Sequence, residues 1–457
     1  MKNIKHYIFS TTIVLLSVFM ITGCNLTEVD EVIDPNNPSV AGVLQDASRG
    51  ELQNMVTGLE ARHRGYVSNA TQLYGSFGRE IWAFFESDPR FTIDWLGQEG
   101  ITPYPNFFGS GGVYNTPYQT IKQANLLIGA ALNTSSVTEA EANAILGFAK
   151  TIKAFQYLIP LHGQYQNGIR FDVDEPLNPG PFLSYDDALT EILNLLDEAN
   201  TDLNNASGTL PFNLTDGFGE YGFNSVAGLQ QVNRAIKARA SIYAEDWTGA
   251  LDALDDSFMD LTSGEASMNV GVYHVYGNPP DAFNPLFYPL DANTNQIMVV
   301  HPSMIDDAEA GDQRVANKFY QRTDPVSNAN IPEDAEYQDA RWASNTSPIP
   351  YLRNEELILI YAEALAQRDT GTDIADAEAA VNLIRDTWGL TPVALTNTQE
   401  VIDQVLFERR YSLWAEGGHR WIDARRYDRL NEIDARYGTV FTQLERPTSE
   451  TNWENNN

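Results

Sequence analysis

FERRYSLWAEGGHRWIDARRYDRL, Phe407–Leu430, is the densest charged run in a chain of 457 residues. Its spacing predicts a helix, a break at Gly417 and Gly418, and a second helix, knitted by arginine–carboxylate pairs three or four residues apart such as Glu416 with Arg420. Glu408, Glu416 and Asp423 also invite an enzymatic reading, as the paired carboxylates of glycoside hydrolysis with His419 as helper. Every acid here has arginines close by, however, which lowers its pKa and spoils it as a proton donor. The scaffold reading therefore prevails.

Upstream of this run the apolar periodicity is helical wherever it can be followed. Ile145, Phe148, Ala149, Ile152 and Phe155 fall on one face of a helix within 140–160. Ala188, Ile192, Leu195, Leu196 and Ala199 repeat the pattern behind Ser184, an expected N-cap. Two helical hairpins are predicted. One runs along 226–244, turns at Glu245, Asp246 and Trp247 and returns through Ala250, Leu251, Leu254 and Phe258; the other runs along 355–367, turns at Asp369, Thr370 and Gly371 and returns along 375–388. Alanine and tyrosine at close-packing positions make these pairs similar to tetratricopeptide repeats, although their spacing is irregular. Between the helices lie long stretches rich in glycine, proline, asparagine and aromatics, at 86–116, 167–181, 209–223 and 268–350, read as loops.

The N-terminus reads as a routing segment. Lys2 and Lys5 precede an apolar run from Ile8 to Ile21, and Ile21-Thr22-Gly23 then precede Cys24, the only cysteine. A basic start, a short apolar core and small residues describe a secretory signal covering 1–23. The run is too short for the roughly 20 residues of a membrane span. Residues 24–38 carry Glu28, Asp30, Glu31 and Asp34 and read as an acidic tether. Removing residues 1–23 takes away two lysines and no acid, so the formal charge moves from −33 to −35. Such a surface repels phosphate backbones, so nucleic acid is not an expected partner. One cysteine excludes an intrachain disulfide and a thiolate metal site, leaving a buried apolar core to supply stability.

Other catalytic or metal signals fail on inspection. Gly109-Ser110-Gly111-Gly112 lacks the Lys-Ser/Thr that completes a phosphate loop. The run from Asp291 to Asn295 begins like a calcium loop, but Gln296 stands where glycine belongs and Pro302 where a bidentate glutamate belongs, so structural calcium has little support. The six histidines lack zinc spacing. No cofactor and no catalytic residue are expected. Loop aromatics remain the informative feature, because a flat ring stacks on the C–H face of a sugar while polar neighbours bind its hydroxyls. On that ground the expected ligand-binding residues are Trp82, Trp95, Tyr104, Phe107, Phe108, Tyr273, Tyr276, Trp342 and Arg341, and the cargo an uncharged glycan.

The run from Phe407 to Leu430 closely resembles the C-terminal motif of the SusD/RagB family, nutrient-binding lipoproteins of the outer membrane. LRNEELILIYAEALAQ from Leu352, VNLIRDTWGL from Val381, VNRAIKARASIYAEDWTGAL from Val232 and GFAKTIKAFQYLIPLHGQ from Gly147 are similar as well, and Ile21–Cys24 resembles a lipobox. Ala424 departs from the leucine often found in the family's Trp-x-Asp-Leu-x-Arg run. The resemblance implies an all-α scaffold of tetratricopeptide-like helix pairs, with long loops and extra helices forming a ligand-binding face. On this reading 39–446 is one SusD-like α-helical domain and 447–457 a polar tail. It further implies acylation of Cys24, an outer-membrane location facing the exterior, and a SusC-like TonB-dependent transporter as partner. Glycan capture is the function expected; peptide import and, further off, a lipid-anchored hydrolase are its alternatives.

Overall fold

The Glu139–Gln164 helix lies at the centre of the first half of the molecule, flanked by the Ser110–Asn133 helix on one side and the Tyr185–Asn205 helix on the other. A computed structural model describes residues 40–456 except 86, 89, 99–109, 176 and 294–295. The expected signal and tether, with Cys24 between them, lie outside the described residues.

Local chemistry sets the helix boundaries. Thr138 and Glu141 form a reciprocal capping box at the start of the central helix, and Ser48 and Glu51 do the same for Arg49–His63. The Ser184 side chain caps Tyr185–Asn205, whose buried face consists of Ala188, Leu189, Ile192, Leu195, Leu196, Ala199 and Leu203, as the periodicity predicts. Both predicted hairpins form, as Val226–Tyr243 with Trp247–Asp255 and as Asn354–Arg368 with Asp373–Thr387. In the second, Asp369 takes a left-handed conformation at φ 46°, and the Asp373 carboxylate accepts from Arg368 and Thr370 across the turn.

The all-α expectation holds as a helix-rich fold, with eight strands beside the helices among the described residues. Strands β1 (Ile81–Phe85), β2 (Ile169–Arg170), β3 (Phe182–Leu183), β4 (Gly271–His274), β5 (Gln296–Val300), β6 (Phe319–Asn328), β7 (Ile331–Asp339) and β8 (Ile349–Arg353) form three small antiparallel sheets. The largest runs β1-β5-β7-β6, and the pairs β2-β3 and β4-β8 stand alone. The stretches read as loops at 86–116 and 268–350 thus contain the helices Arg90–Leu96, Ser303–Asp306 and Gln313–Lys318 and the strands β4, β5, β6 and β7. Pro325, Pro332 and the acids of β6 and β7 hide the strand pattern, since this hairpin is largely solvated. Trp82, Phe84, Leu96, Ile297, Val299, Ile331 and Ala335 give the four-stranded sheet an apolar cluster separate from the main core. The expected polar tail carries a helix, Thr448–Asn456, held by Arg170 on Glu450 at 2.8 Å.

The charged run forms as predicted, with the Thr398–Ser412 helix, a reversal and the His419–Arg426 helix. Ala415, Gly417 and Gly418 all have positive φ, of 53°, 106° and 83°. Its ion pairs reach farther than sequence neighbours. Glu416 pairs with Arg353 at 3.0 Å rather than with Arg420, which donates to the Arg79 carbonyl. Glu408 holds Arg314 at 2.6 Å and Arg385 at 2.8 Å, while Glu363 holds Arg409 at 2.6 Å and Arg426 at 2.8 Å. These links bind five helices into one block. Trp421 packs on Tyr74 and Phe77 and donates to the Phe441 carbonyl, anchoring that block to the first half of the chain.

Candidate functional site

A cleft of about 380 Å³ opens between β4, β8, the segment around Lys318 and the reversal at Glu416. Its aromatic wall begins at Tyr273. Tyr273 lies opposite Pro350 in the β4-β8 pair, where the register shifts after Val272. Proline offers no N–H to the ladder, in keeping with an irregularity in the pairing there. The Tyr273 hydroxyl donates to the Asn269 carbonyl at 2.5 Å, and its ring stacks on Tyr221 with centroids 5.9 Å apart and planes 28° from parallel. Trp342 forms another wall, its indole N–H donating to Asp339 at 3.1 Å. Arg341 lies between Trp342 and Trp414 at 4.7 and 4.5 Å and donates to both Asp339 oxygens, which fixes the orientation of Trp342. Trp388 completes the lining and donates to Glu355 at 2.6 Å.

The floor is cationic in composition but neutralised in fact. Arg314 is fully buried and paired with Asp312 and Glu408, and Arg353 is paired with Glu355 and Glu416. Lys318 is the exception, with no carboxylate bonded to it. Its amine donates to the carbonyls of Tyr411 and Ser412 at 2.7 and 2.6 Å, and burial pushes its pKa down to about 7 although Glu416 pulls it up. Burial works to raise the Glu355 carboxyl, but Arg353 and Lys318 more than reverse this and hold it below the usual range. Around the rim, the side chains of Asn269, Asn317, Glu220 and Glu265 make no hydrogen bond or ion pair among the described residues. The cleft therefore offers ring faces, free amide and carboxylate groups, and no uncompensated guanidinium. Such a lining suits a neutral, hydroxyl-rich ligand.

Of the residues predicted from sequence, Tyr273, Arg341 and Trp342 meet in this cleft. Tyr276 sits elsewhere, under the Arg64 guanidinium at 5.1 Å. Trp82 and Trp95 need correction: they are 1% and 4% exposed, Trp82 packed on His301 and Trp95 on Phe91, so neither presents a ring face to solvent. Tyr104, Phe107 and Phe108 lie outside the described residues. Sequence reasoning missed Tyr221, Trp388 and Lys318. Tyr221 belongs to the glycine- and aromatic-rich 209–223 stretch and was within reach of the same argument; nothing local marks Trp388 or Lys318. Glu408, Glu416 and Asp423 are each held by arginine, and Asp291, the calcium-loop candidate, accepts instead from Tyr320 and from the Thr323 N–H and hydroxyl.

The family model described as SusD family matches residues 309–457, which include the charged run. The fold is similar to that of surface glycan-binding protein A from Bacteroides uniformis, at TM-score 0.69 and 15% identity over 89% of this chain and 98% of that one. Surface glycan-binding protein A from Bacteroides thetaiotaomicron, in complex with laminarihexaose, gives 0.68 at 15% identity over 88% and 97%. A laminarin-binding SusD-like protein gives 0.64 at 16% identity over 88% and 97%. No curated protein matches the sequence. Residues 309–457 thus carry the SusD family signature, and the chain as a whole shares the fold of these SusD-like proteins. No helix among the described residues is long and apolar enough to cross a membrane.

Proposed function

We propose that this chain is a surface lipoprotein, acylated at Cys24 and held on the outer membrane, that captures neutral oligosaccharide in the Tyr221–Tyr273–Trp342 cleft. It passes the cargo to a SusC-like TonB-dependent transporter, and its helix pairs serve as a tetratricopeptide-like frame for the cleft. The observation that carries this reading is the cleft itself: ring faces at its walls, free Asn269 and Asn317 at its rim, and guanidinium groups already paired with carboxylates. Relatives described as binding laminarin or laminarihexaose support a glucan as cargo. The protein acts as a binder rather than a hydrolase, because Glu408 and Asp423 are buried and each is paired with arginine as a counter-charge of the scaffold.

Affinity electrophoresis against a polysaccharide panel, followed by calorimetry with laminarin oligosaccharides, tests the proposal; failure to bind any sugar would overturn it. Glu220 and Glu265 at the rim add that alginate or carrageenan competes far more weakly than neutral glucan. Equal competition would remove the neutral-cargo reading.

A further inference from the structure

Glu80 lies in the short link between the Val67–Phe77 helix and β1, and it is wholly buried. Two groups of the reversal that borders the cleft converge on it, 334 and 335 positions away in the chain. Its carbonyl accepts the Trp414 indole N–H at 2.9 Å, and its side-chain Oε1 accepts the Ala415 N–H at 3.1 Å. Ala415 needs such a hold. Its φ of 53° is left-handed, a conformation that a residue with a Cβ keeps only where its surroundings fix it.

From the reversal the contacts run on to the cleft along two lines. Arg341 lies on the Trp414 ring, donates to the Trp414 carbonyl at 2.8 Å, and lies over Trp342 as well. Glu416, the residue after Ala415, pairs with Arg353 on the cleft floor at 3.0 Å. Wall and floor thus hang from one reversal, and that reversal hangs from Glu80.

The charge on Glu80 bears on this hold. Its Oε2 has no protein partner. Burial pushes the carboxyl up to about 7, against the pull of the Ala415 N–H and then of Arg420, Arg341 and Arg410. These guanidinium groups face it from the His419–Arg426 helix, the segment after β7 and the Thr398–Ser412 helix. His301, whose N–H donates to the Glu80 carbonyl from the end of β5, is kept neutral by burial, while burial lowers Arg420 and Arg79 to about 9 and 10. Among Glu80, His301, Arg420 and Arg79, only Glu80 changes charge between pH 6 and pH 8. When it is ionised, Oε1 accepts from Ala415 through a charge-assisted bond, roughly twice as strong as a neutral one. When it is protonated on Oε2, that assistance and the attraction to Arg341 are both lost.

We propose that Glu80 is the positioning residue of the cleft: through Trp414 and Ala415 it holds Arg341 and Trp342 in place, more firmly ionised than protonated, so that ligand affinity rises from pH 6 to pH 8. This inference rests on the cleft as the binding face.

The test takes the full mature chain at pH 6 and pH 8 and reads two signals. One is calorimetric affinity for laminarihexaose; the other is the Trp342 indole N–H resonance without ligand, identified by its loss in Trp342→Phe. Wild type is expected to bind about threefold tighter at pH 8, with a Trp342 resonance that shifts between the two pH values. Glu80→Gln keeps an oxygen for the Ala415 N–H but cannot ionise, so it should bind equally at both and hold the resonance still. Glu60 is another carboxyl raised by burial, bonded to Thr215 rather than to the reversal, and Glu60→Gln should keep the wild-type response. The proposal is overturned if the resonance does not move in wild type, if wild type binds equally at both pH values, or if Glu80→Gln keeps the response, which would assign it to Lys318. Because the resonance needs no ligand, a chain that binds no laminarihexaose at either pH would remove the proposed cargo while the resonance still decides the role of Glu80.

Discussion

Tyr221 and Tyr273 stack with their centroids 5.9 Å apart and their planes 28° from parallel, although 52 positions separate them in the chain. The stack joins a turn beyond the Asp216–Gly219 helix to strand β4 and gives the cleft a continuous aromatic wall. Trp342 supplies the other ring, oriented by Asp339 and Arg341. Replacing Tyr221 or Trp342 with alanine is expected to cut affinity for laminarin oligosaccharides about tenfold each, or about 1.4 kcal/mol, by isothermal calorimetry. Unchanged affinity in both variants would move the binding face away from this cleft.

Glu408 sits at the junction of Arg314 and Arg385 with no exposed surface. Glu408→Gln leaves two buried guanidinium groups short of a counter-charge, and removing one member of such a network costs about 3–5 kcal/mol. Urea denaturation is expected to show a lower midpoint at unchanged slope. A loss below about 1 kcal/mol would mean that Asp312 and Glu309 suffice for the arginines.

Gly418 has φ of 83°, and a Cβ placed there would come within 2.2 Å of the Tyr74 Cβ. Gly418→Ala meets both the left-handed penalty, about 1–2 kcal/mol, and that overlap. Thermal unfolding should therefore begin several degrees lower than in wild type. Gly417→Ala is the comparison, since its φ is also positive but nothing lies within 4 Å. Equal losses in the two variants would show that contact with Tyr74 contributes nothing.

His63, His162, His274, His301 and His419 are all buried, and burial lowers the pKa of each, to about 3 for His63 and His419. An unfolded histidine takes its proton near pH 6.5, so acid favours the unfolded chain. Stability is fully present above pH 6.5 and falls as the pH drops towards 3. Glu80 opposes this, since burial raises its carboxyl to about 7 and its contribution is lost as pH rises from 4.5 to 7, and burial raises Glu60 as well, but these are two groups against five. Urea midpoints measured from pH 7.5 to 4 should decline steadily; a midpoint that rises on acidification would contradict the buried neutral histidines.

The helices were legible because each buries a stripe that repeats every three or four residues, as in Tyr185–Asn205, and carries its own start signal in Ser184. β6 and β7 were not, because a solvated hairpin built with Pro325, Pro332, Glu333 and Asp334 shows no apolar alternation. The cleft was partly legible, since loop aromatics include Tyr273 and Trp342. Trp82 and Trp95 obey the same composition rule yet lie in the core, because residue type cannot tell which side of a strand or helix faces solvent. Lys318 owes its place to carbonyls of residues 411 and 412, a contact 93 positions away that leaves no local mark.

Arg79 is wholly buried and donates to the carbonyls of Ser76, Leu96, Asp434, Gly438 and Thr439, without a carboxylate among these partners. Three of its five acceptors are synthesised more than 350 residues after it. β1 likewise waits for β5, and Tyr74 and Phe77 wait for Trp421. Closing so long a loop sets the order of events in biogenesis: the early helices emerge with their inner faces uncovered, and they stay open until the final stretch of polypeptide arrives to cover them.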